Sequence, residues 1–241
     1  MNVLFVGAHP DDIETFSGGT ALRYADQGDK LFFCVSTNGN CGSSTLPAPQ
    51  IAAVRHKEAQ AAADQIGATL IWLDFDDEFL FDSREARVKF INALRIAEAD
   101  VVICHWTSDY NPDHSASGRI VDEVVSMMGI PNIKTDAPPC SKIPHVYHMD
   151  TIAGVNFEPQ LYVDITGVFK RKVELVRCHA SQNSWMKDIF GYELEEFLEL
   201  PARFRGLQCR CPMAEAFRPS YRWARQFTQH YLPGMQSKNG R

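Results

Sequence analysis

Short apolar runs alternate along the first half of the chain with longer stretches whose apolar positions recur at helical spacing. The pattern predicts strands at Val3–Val6, Lys30–Ser36, Thr69–Leu73 and Asp100–His105. It predicts helices between and after them, at Ile13–Gln27, Gln50–Ile66, Arg84–Ala97 and Ser117–Met128. The fourth strand is apolar without alternation in its middle, as expected of a parallel strand buried on both faces. Strand, polar loop and helix repeated in this order predict a doubly wound, mostly parallel α/β sheet flanked by helices. The second half is less regular. Residues 131–144 read as a proline-bearing loop, Val146–Met149 and Tyr162–Ile165 as strands, and Val168–Cys178 as a helix with a solvated basic face at Lys170, Arg171 and Lys172. Tyr192–Arg205 reads as a helix interrupted at Pro201, and Tyr221–Tyr231 as a short terminal helix. These elements make one domain over residues 1–232, with 233–241 as a frayed tail.

Composition narrows the class. At 241 residues the chain can bury a core without staples. Its 45% hydrophobic and 22% charged residues are those of an ordinary globular protein. A net charge of −6 with no compensating basic run argues against a nucleic-acid or membrane-surface binder. No apolar run approaches the ~20 residues of a membrane span, and Met1 leads into the first strand without a secretory pattern. Seven cysteines in that context predict reduced thiols and a cytoplasmic location. Cys209-Arg210-Cys211 lacks the second pair of a zinc knuckle and reads as ordinary thiols.

The polar loops carry the chemistry. His9-Pro10-Asp11-Asp12, Thr37–Ser44 and Trp106–His114 all follow a predicted strand, so all three fall at the carboxyl end of the sheet, where open α/β folds bind ligands. An imidazole and two carboxylates within four residues suggest a metal cation, although Asp11 or Asp12 could instead cap the helix. His114 can complete a His, Asp, His set, and three protein ligands with an open position are the mark of a catalytic metal. The residues alone point to a metal-assisted hydrolase. A dinucleotide oxidoreductase fits the fold class but not the sequence, since Gly7–Thr20 lacks G-x-G-x-x-G.

The order AHPDDIE…SGGT, STNG, R-x-x-E, NPDHSASGR, HASQ and AEAFR resembles the PIG-L/LmbE-like zinc-dependent de-N-acetylases, from residue 1 to about 220. The resemblance implies a Rossmann-like fold, a Zn2+ or other divalent transition-metal cofactor, and hydrolysis of an acetamide on an amino sugar or glycoconjugate, a small-molecule partner. It is compatible with a homo-oligomer. It maps His9, Asp12 and His114 onto metal ligands and Asp11 onto the general base. Arg55 becomes a substrate contact, with an ion pair to Glu58 as the plain alternative. From the residues themselves, Asn38 and Gly39 could bring backbone groups close to a ligand, and Trp106, Tyr110 and Trp185 could stack on a sugar face, with burial in the core as the plain alternative; Asp113 either orients a neighbouring side chain or loop or caps its helix. One position departs. Many relatives carry histidine where this chain has Asn111, and an amide can donate to an oxyanion but cannot shuttle a proton. Either Asp11 then makes both proton transfers, or His105, His148 or His179 reaches in. An amidase acting on a larger acyl group or thiol conjugate, or a catalytically weakened metal- or sugar-binding protein, are the alternative readings.

Overall fold

Val3 and Phe5 bury themselves on one face of the central sheet and Leu4 and Val6 on the other. Leu31, Phe33 and Val35 against Phe32 and Cys34 repeat this split, as do Val101 and Ile103 against Val102 and Cys104. Side chains alternate across a strand, so a strand with core on both sides must be apolar at every position. That is why these segments read as unbroken runs. The structure is a computed structural model and describes residues 1–183, 187, 191–222 and 230–235.

The elements are β1 (Asn2–Gly7), α1 (Asp12–Asp26), β2 (Lys30–Thr37), α2 (Ala48–Ile66), β3 (Thr69–Phe75), α3 (Arg84–Ala97), β4 (Val101–Cys104) and α4 (Pro112–Val124). They continue with β5 (His145–Met149), β6 (Leu161–Asp164), α5 (Phe169–Arg177), α6 (Leu194–Cys209) and β7 (Ala214–Pro219). The strands form one sheet in the order β3-β2-β1-β4-β5-β7-β6. β1 to β5 pair in parallel, and β7 runs antiparallel to both its neighbours. From β1 the chain winds outward through β2 and β3, then returns to β4 on the other side of β1. The loops after β1 and β4 therefore flank the switch point of the sheet, where a crevice opens.

Four expectations are corrected. β7 is absent from the sequence reading because Ala, Glu and Pro are poor strand formers; its place between β5 and β6 is a tertiary decision. α6 runs unbroken through Pro201, which costs one backbone bond but does not end the helix where packing holds both halves. α4 starts at Pro112, earlier than Ser117, because Asn111 caps it and proline suits a first turn. Leu232 and Pro233 are buried and Met235 packs on the core, so the folded part passes residue 232. Most of the expected helix at 221–231 lies outside the described residues.

Lys172 also departs from the solvated face expected of it. It is buried, with Nζ 2.7 Å from Glu215 Oε1. The same carboxylate accepts the backbone N–H groups of Gly19 and Thr20 at 2.8 and 2.7 Å. The SGGT segment of α1 is thus a docking point. A Cβ on Gly19 would come within 2.6 Å of Ile165 and 3.0 Å of Glu215, so only glycine lets β7 reach the helix. Glu215→Ala should leave a buried ammonium and two amides without partners. We expect a loss of about 3–5 kcal/mol, measured by urea denaturation of the purified protein.

Candidate active site

β1 ends at Gly7, and its terminus is tied to β2: Ser36 Oγ donates to the Gly7 carbonyl, and both Thr37 N–H and Oγ1–H donate to that of Ala8. The next three residues turn sharply. Asp11 sits at φ 127° and ψ −18°, a conformation that costs a non-glycine residue on the order of 1–3 kcal/mol. Its carboxylate accepts no capping bond from α1. Asp12, by contrast, accepts the His9 N–H at 2.7 Å and closes the turn. The capping alternative for Asp11 does not hold.

The loop after β4 brings the partner. A Cβ on Gly118 would lie 2.3 Å from the His105 carbonyl oxygen, so glycine there lets α4 press against the end of β4. Ser117 Oγ donates to Ser36 Oγ at 3.2 Å and fixes the same approach. His114, one turn earlier, then faces the first loop. His9 Nδ1 is 3.2 Å from His114 Nε2 and 3.3 Å from Asp12 Oδ2, and His114 Nε2 is 3.3 Å from Asp12 Oδ1.

These three donors converge within 4.8 Å of one another, and all are largely out of solvent. Their other nitrogens face carboxylates. His9 Nε2 is 3.0 Å from Asp77 and 3.4 Å from Asp113, and His114 Nδ1 is 3.3 Å from Asp109. That arrangement orients metal-ligating imidazoles and raises their basicity. The electrostatics agree. Burial opposes charge on His9, yet Asp12, Asp113 and Asp77 hold its pKa well above the usual value. His114 is raised to about 9 against the same burial by Asp12 and Asp109. Asp12 is held well below its usual value, since His114, His105 and His9 outweigh its desolvation. Positive charge is therefore favoured at this point, and the donor set fits a divalent cation.

Asp11 behaves differently although it is the next residue. Burial raises its pKa to about 6, Asp12 adds to this, and Arg55, His179 and His9 pull the other way. Two adjacent carboxylates are thus driven apart, one favoured as an anion and the other eased toward protonation. Both border a cavity of about 410 Å3. Arg55 Nη2 is 3.3 Å from Asp11 and donates to the Pro10 carbonyl at 2.8 Å. The alternative pairing of Arg55 with Glu58 is not made; Glu58 accepts from Ser181 instead.

Asn111 also lines the cavity. Its Oδ1 accepts the N–H groups of Asp113 and His114 at 2.8 and 3.2 Å, which fixes the amide orientation and leaves Nδ2 as the donor. Tyr110 lines the cavity beside it and is exposed. Asp113 orients a loop: its two oxygens accept the N–H groups of Glu78 and Leu80 at 2.7 and 3.0 Å. Asn38 does not reach the cavity. Its side chain bridges Asp74 and the Asn40 N–H, and Cys41 and Gly42 carry that loop to the site instead.

None of the three histidines held in reserve lines the cavity. His105 stacks on His114 with ring centroids 3.9 Å apart and lies 3.0 Å from Asp12. Burial and His114 lower its pKa to about 4, so it is neutral. His148 lies behind it, donating to the His105 carbonyl at 2.7 Å. His179 is buried 3.4 Å from Glu14, which gives Glu14 a partner beyond the helix dipole. Trp106 packs on His148 and Phe157 rather than the cavity; Trp185 lies outside the described residues. Asp77 and Asp109 were not singled out from sequence. Each sits in a polar stretch that resembles a solvated loop, and only the fold brings Asp77 to His9 and Asp109 to His114.

The fold and this cluster define an α/β protein with a candidate metal centre at the strand-end crevice of its sheet. Residues 4–125 match the family model PIG-L, described as GlcNAc-PI de-N-acetylase, and the chain belongs to that family. It is 30% identical over 190 residues to the diacetylchitobiose deacetylase of Thermococcus kodakarensis, covering 75% of this chain and 69% of that protein. The 4-oxalmesaconate hydratase of Pseudomonas putida is 25% identical over 222 residues, covering 87% of this chain and 81% of that one. Among solved structures, the N,N'-diacetylchitobiose deacetylase of Pyrococcus horikoshii superimposes with a TM-score of 0.80 at 28% identity, covering 90% of this chain and 83% of that chain.

Asp77→Asn removes the carboxylate behind His9 but keeps its shape. Divalent-cation affinity, titrated calorimetrically, should fall about 10–100-fold with little change in thermal stability of the cation-free protein.

Proposed function

We propose that this protein is a hydrolase, with zinc as its cofactor, that removes the N-acetyl group from an N-acetylated amino sugar or its conjugate. The observation that carries the reading is Asp11: a strained residue with no capping duty, facing the cavity beside the His9, Asp12 and His114 cluster. His9, Asp12 and His114 would hold the cation. When bound, a divalent cation supplies Lewis acidity, polarising the amide carbonyl and acidifying a neighbouring water.

The chain's own groups do the rest. Asp11 accepts the proton of the attacking water as the carbon becomes tetrahedral. The Asn111 amide, held by its cap bonds with Nδ2 3.4 Å from Glu78 Oε1, donates to the developing oxyanion. Because asparagine has no proton to give, Asp11 returns its proton to the leaving amine, and its raised pKa makes that transfer easier. Arg55 limits the shift and keeps the carboxylate in place. Acetate and a free amine are the products. The deacetylases among the relatives support this choice of substrate.

A hydratase is the second reading, favoured by the relative from Pseudomonas putida. The zinc-loaded protein should release acetate from N,N'-diacetylchitobiose and leave unsaturated carboxylic acids untouched. Water addition to such acids without acetate release would replace the first reading with the second. Asp11→Asn should lower turnover by about 10²–10⁴-fold while zinc stoichiometry, read by elemental analysis, stays at the wild-type value.

Asp11 must be ionised to accept a proton, so kcat/KM should fall as pH drops through its pKa. Burial sets that value at about 6, and a neighbouring cation draws it lower. The acid limb of the pH profile is therefore expected at or below about pH 6, and Asp11→Asn should abolish it.

A further inference from the structure

Glu78 stands at the mouth of the cavity in an unusual backbone state. Its φ is 68°, a region that non-glycine residues enter only when held. Asp113 Oδ2 holds it by taking its N–H at 2.7 Å, and Leu80 is pinned by the other oxygen at 3.0 Å. The side chain is exposed and lines the cavity, with Oε1 3.4 Å from Asn111 Nδ2. Asp77 lines the wall beside it.

Charge on this wall is one-sided. Apart from the imidazoles of His9 and His114, Arg55 is the only cationic side chain among the described residues lining the cavity. It is 4% exposed, with Nη2 donating to Pro10 and facing Asp11, and Nη1 facing Gly39 and Asp77. No lysine or arginine is left to meet a second anionic group on a ligand. The Cys41 thiol reports the same field: burial, then Asp77, Glu78, Asp76 and Asp113, raise its pKa.

We propose that Glu78 is a specificity-determining residue that accepts hydroxyl hydrogen bonds from an uncharged saccharide and excludes substrates bearing a carboxylate or phosphate beyond the amino sugar. An anion placed at the mouth meets like charge without a compensating partner, which builds selectivity by repulsion. A sugar hydroxyl donates to the same carboxylate in a charge-assisted bond. The inference rests on the deacetylase reading and sharpens its substrate to neutral N-acetyl saccharides.

The test compares acetate release from N,N'-diacetylchitobiose and from N-acetylglucosamine 1-phosphate by the zinc-loaded wild type, Glu78→Gln and Glu78→Lys. The wild type should prefer the neutral sugar in kcat/KM. Glu78→Gln should narrow the ratio by about tenfold, and Glu78→Lys should narrow it further. Equal use of both sugars by the wild type, or a ratio unmoved in both variants, would overturn the proposal. Dissociation constants of the same two sugars, measured by calorimetry on the same proteins, give a readout independent of turnover. If neither sugar releases acetate, the deacetylase reading fails; the binding ratio then decides Glu78 by itself, supporting it if Glu78→Lys shifts binding toward the phosphate and sinking it if not.

Discussion

A single buried carboxylate organises this site. Asp12 lies among three imidazoles, closes the turn after β1 through the His9 N–H, and touches His105 and His114 across the crevice. A lone buried carboxylate would cost several kcal/mol. It is tolerated here because His9 and His114 favour positive charge beside it and the His9 N–H donates to it. The first strand-end loop and the fourth are held together by that requirement, and the position of His114 follows from it.

Glycine and strain set the geometry around Asp12. Gly118 brings α4 against the His105 carbonyl, and Gly19 brings Glu215 and Ile165 against α1. Both contacts use space where any side chain would force the backbones apart. Asp11 and Glu78 occupy positive φ values within the same crevice. Neither conformation is favourable alone; Thr37, Asp12 and Asp113 fix the surrounding backbone so that both persist. In each case the strained residue aims a carboxylate into the cavity.

Asn111 both holds the start of a helix and lines the cavity. Its oxygen caps α4 and sets the start of the helix that carries His114. Its nitrogen lies at the cavity, 3.4 Å from Glu78 Oε1. Asparagine is among the preferred residues at a helix start, so Asn111 gives α4 a firm beginning. The buried histidines His105, His148 and His179 do not line the cavity; His105 stacks on His114, and His148 donates to the His105 carbonyl. Asp11 lines the cavity with a carboxylate whose pKa burial raises to about 6.

The sequence determined the strand and helix order of the first 130 residues, because a sheet buried on both faces requires continuous apolar strands and its covering helices require a helical repeat. The convergence of His9, Asp12 and His114 was also legible, since rare residue types cluster at strand ends in a recognisable order. What local pattern could not carry was decided by packing. β7 is a strand because two neighbours supply its hydrogen bonds, and α6 passes Pro201 because tertiary contacts outweigh one lost bond. Lys172 looked solvated until Glu215 arrived from the far end of the chain. Asp77, Asp109 and Glu78 resembled ordinary acidic loop residues. Only the fold brings the first two within reach of the ligand imidazoles and turns the third toward the mouth, because those distances depend on loops separated in sequence and joined at the switch point of the sheet.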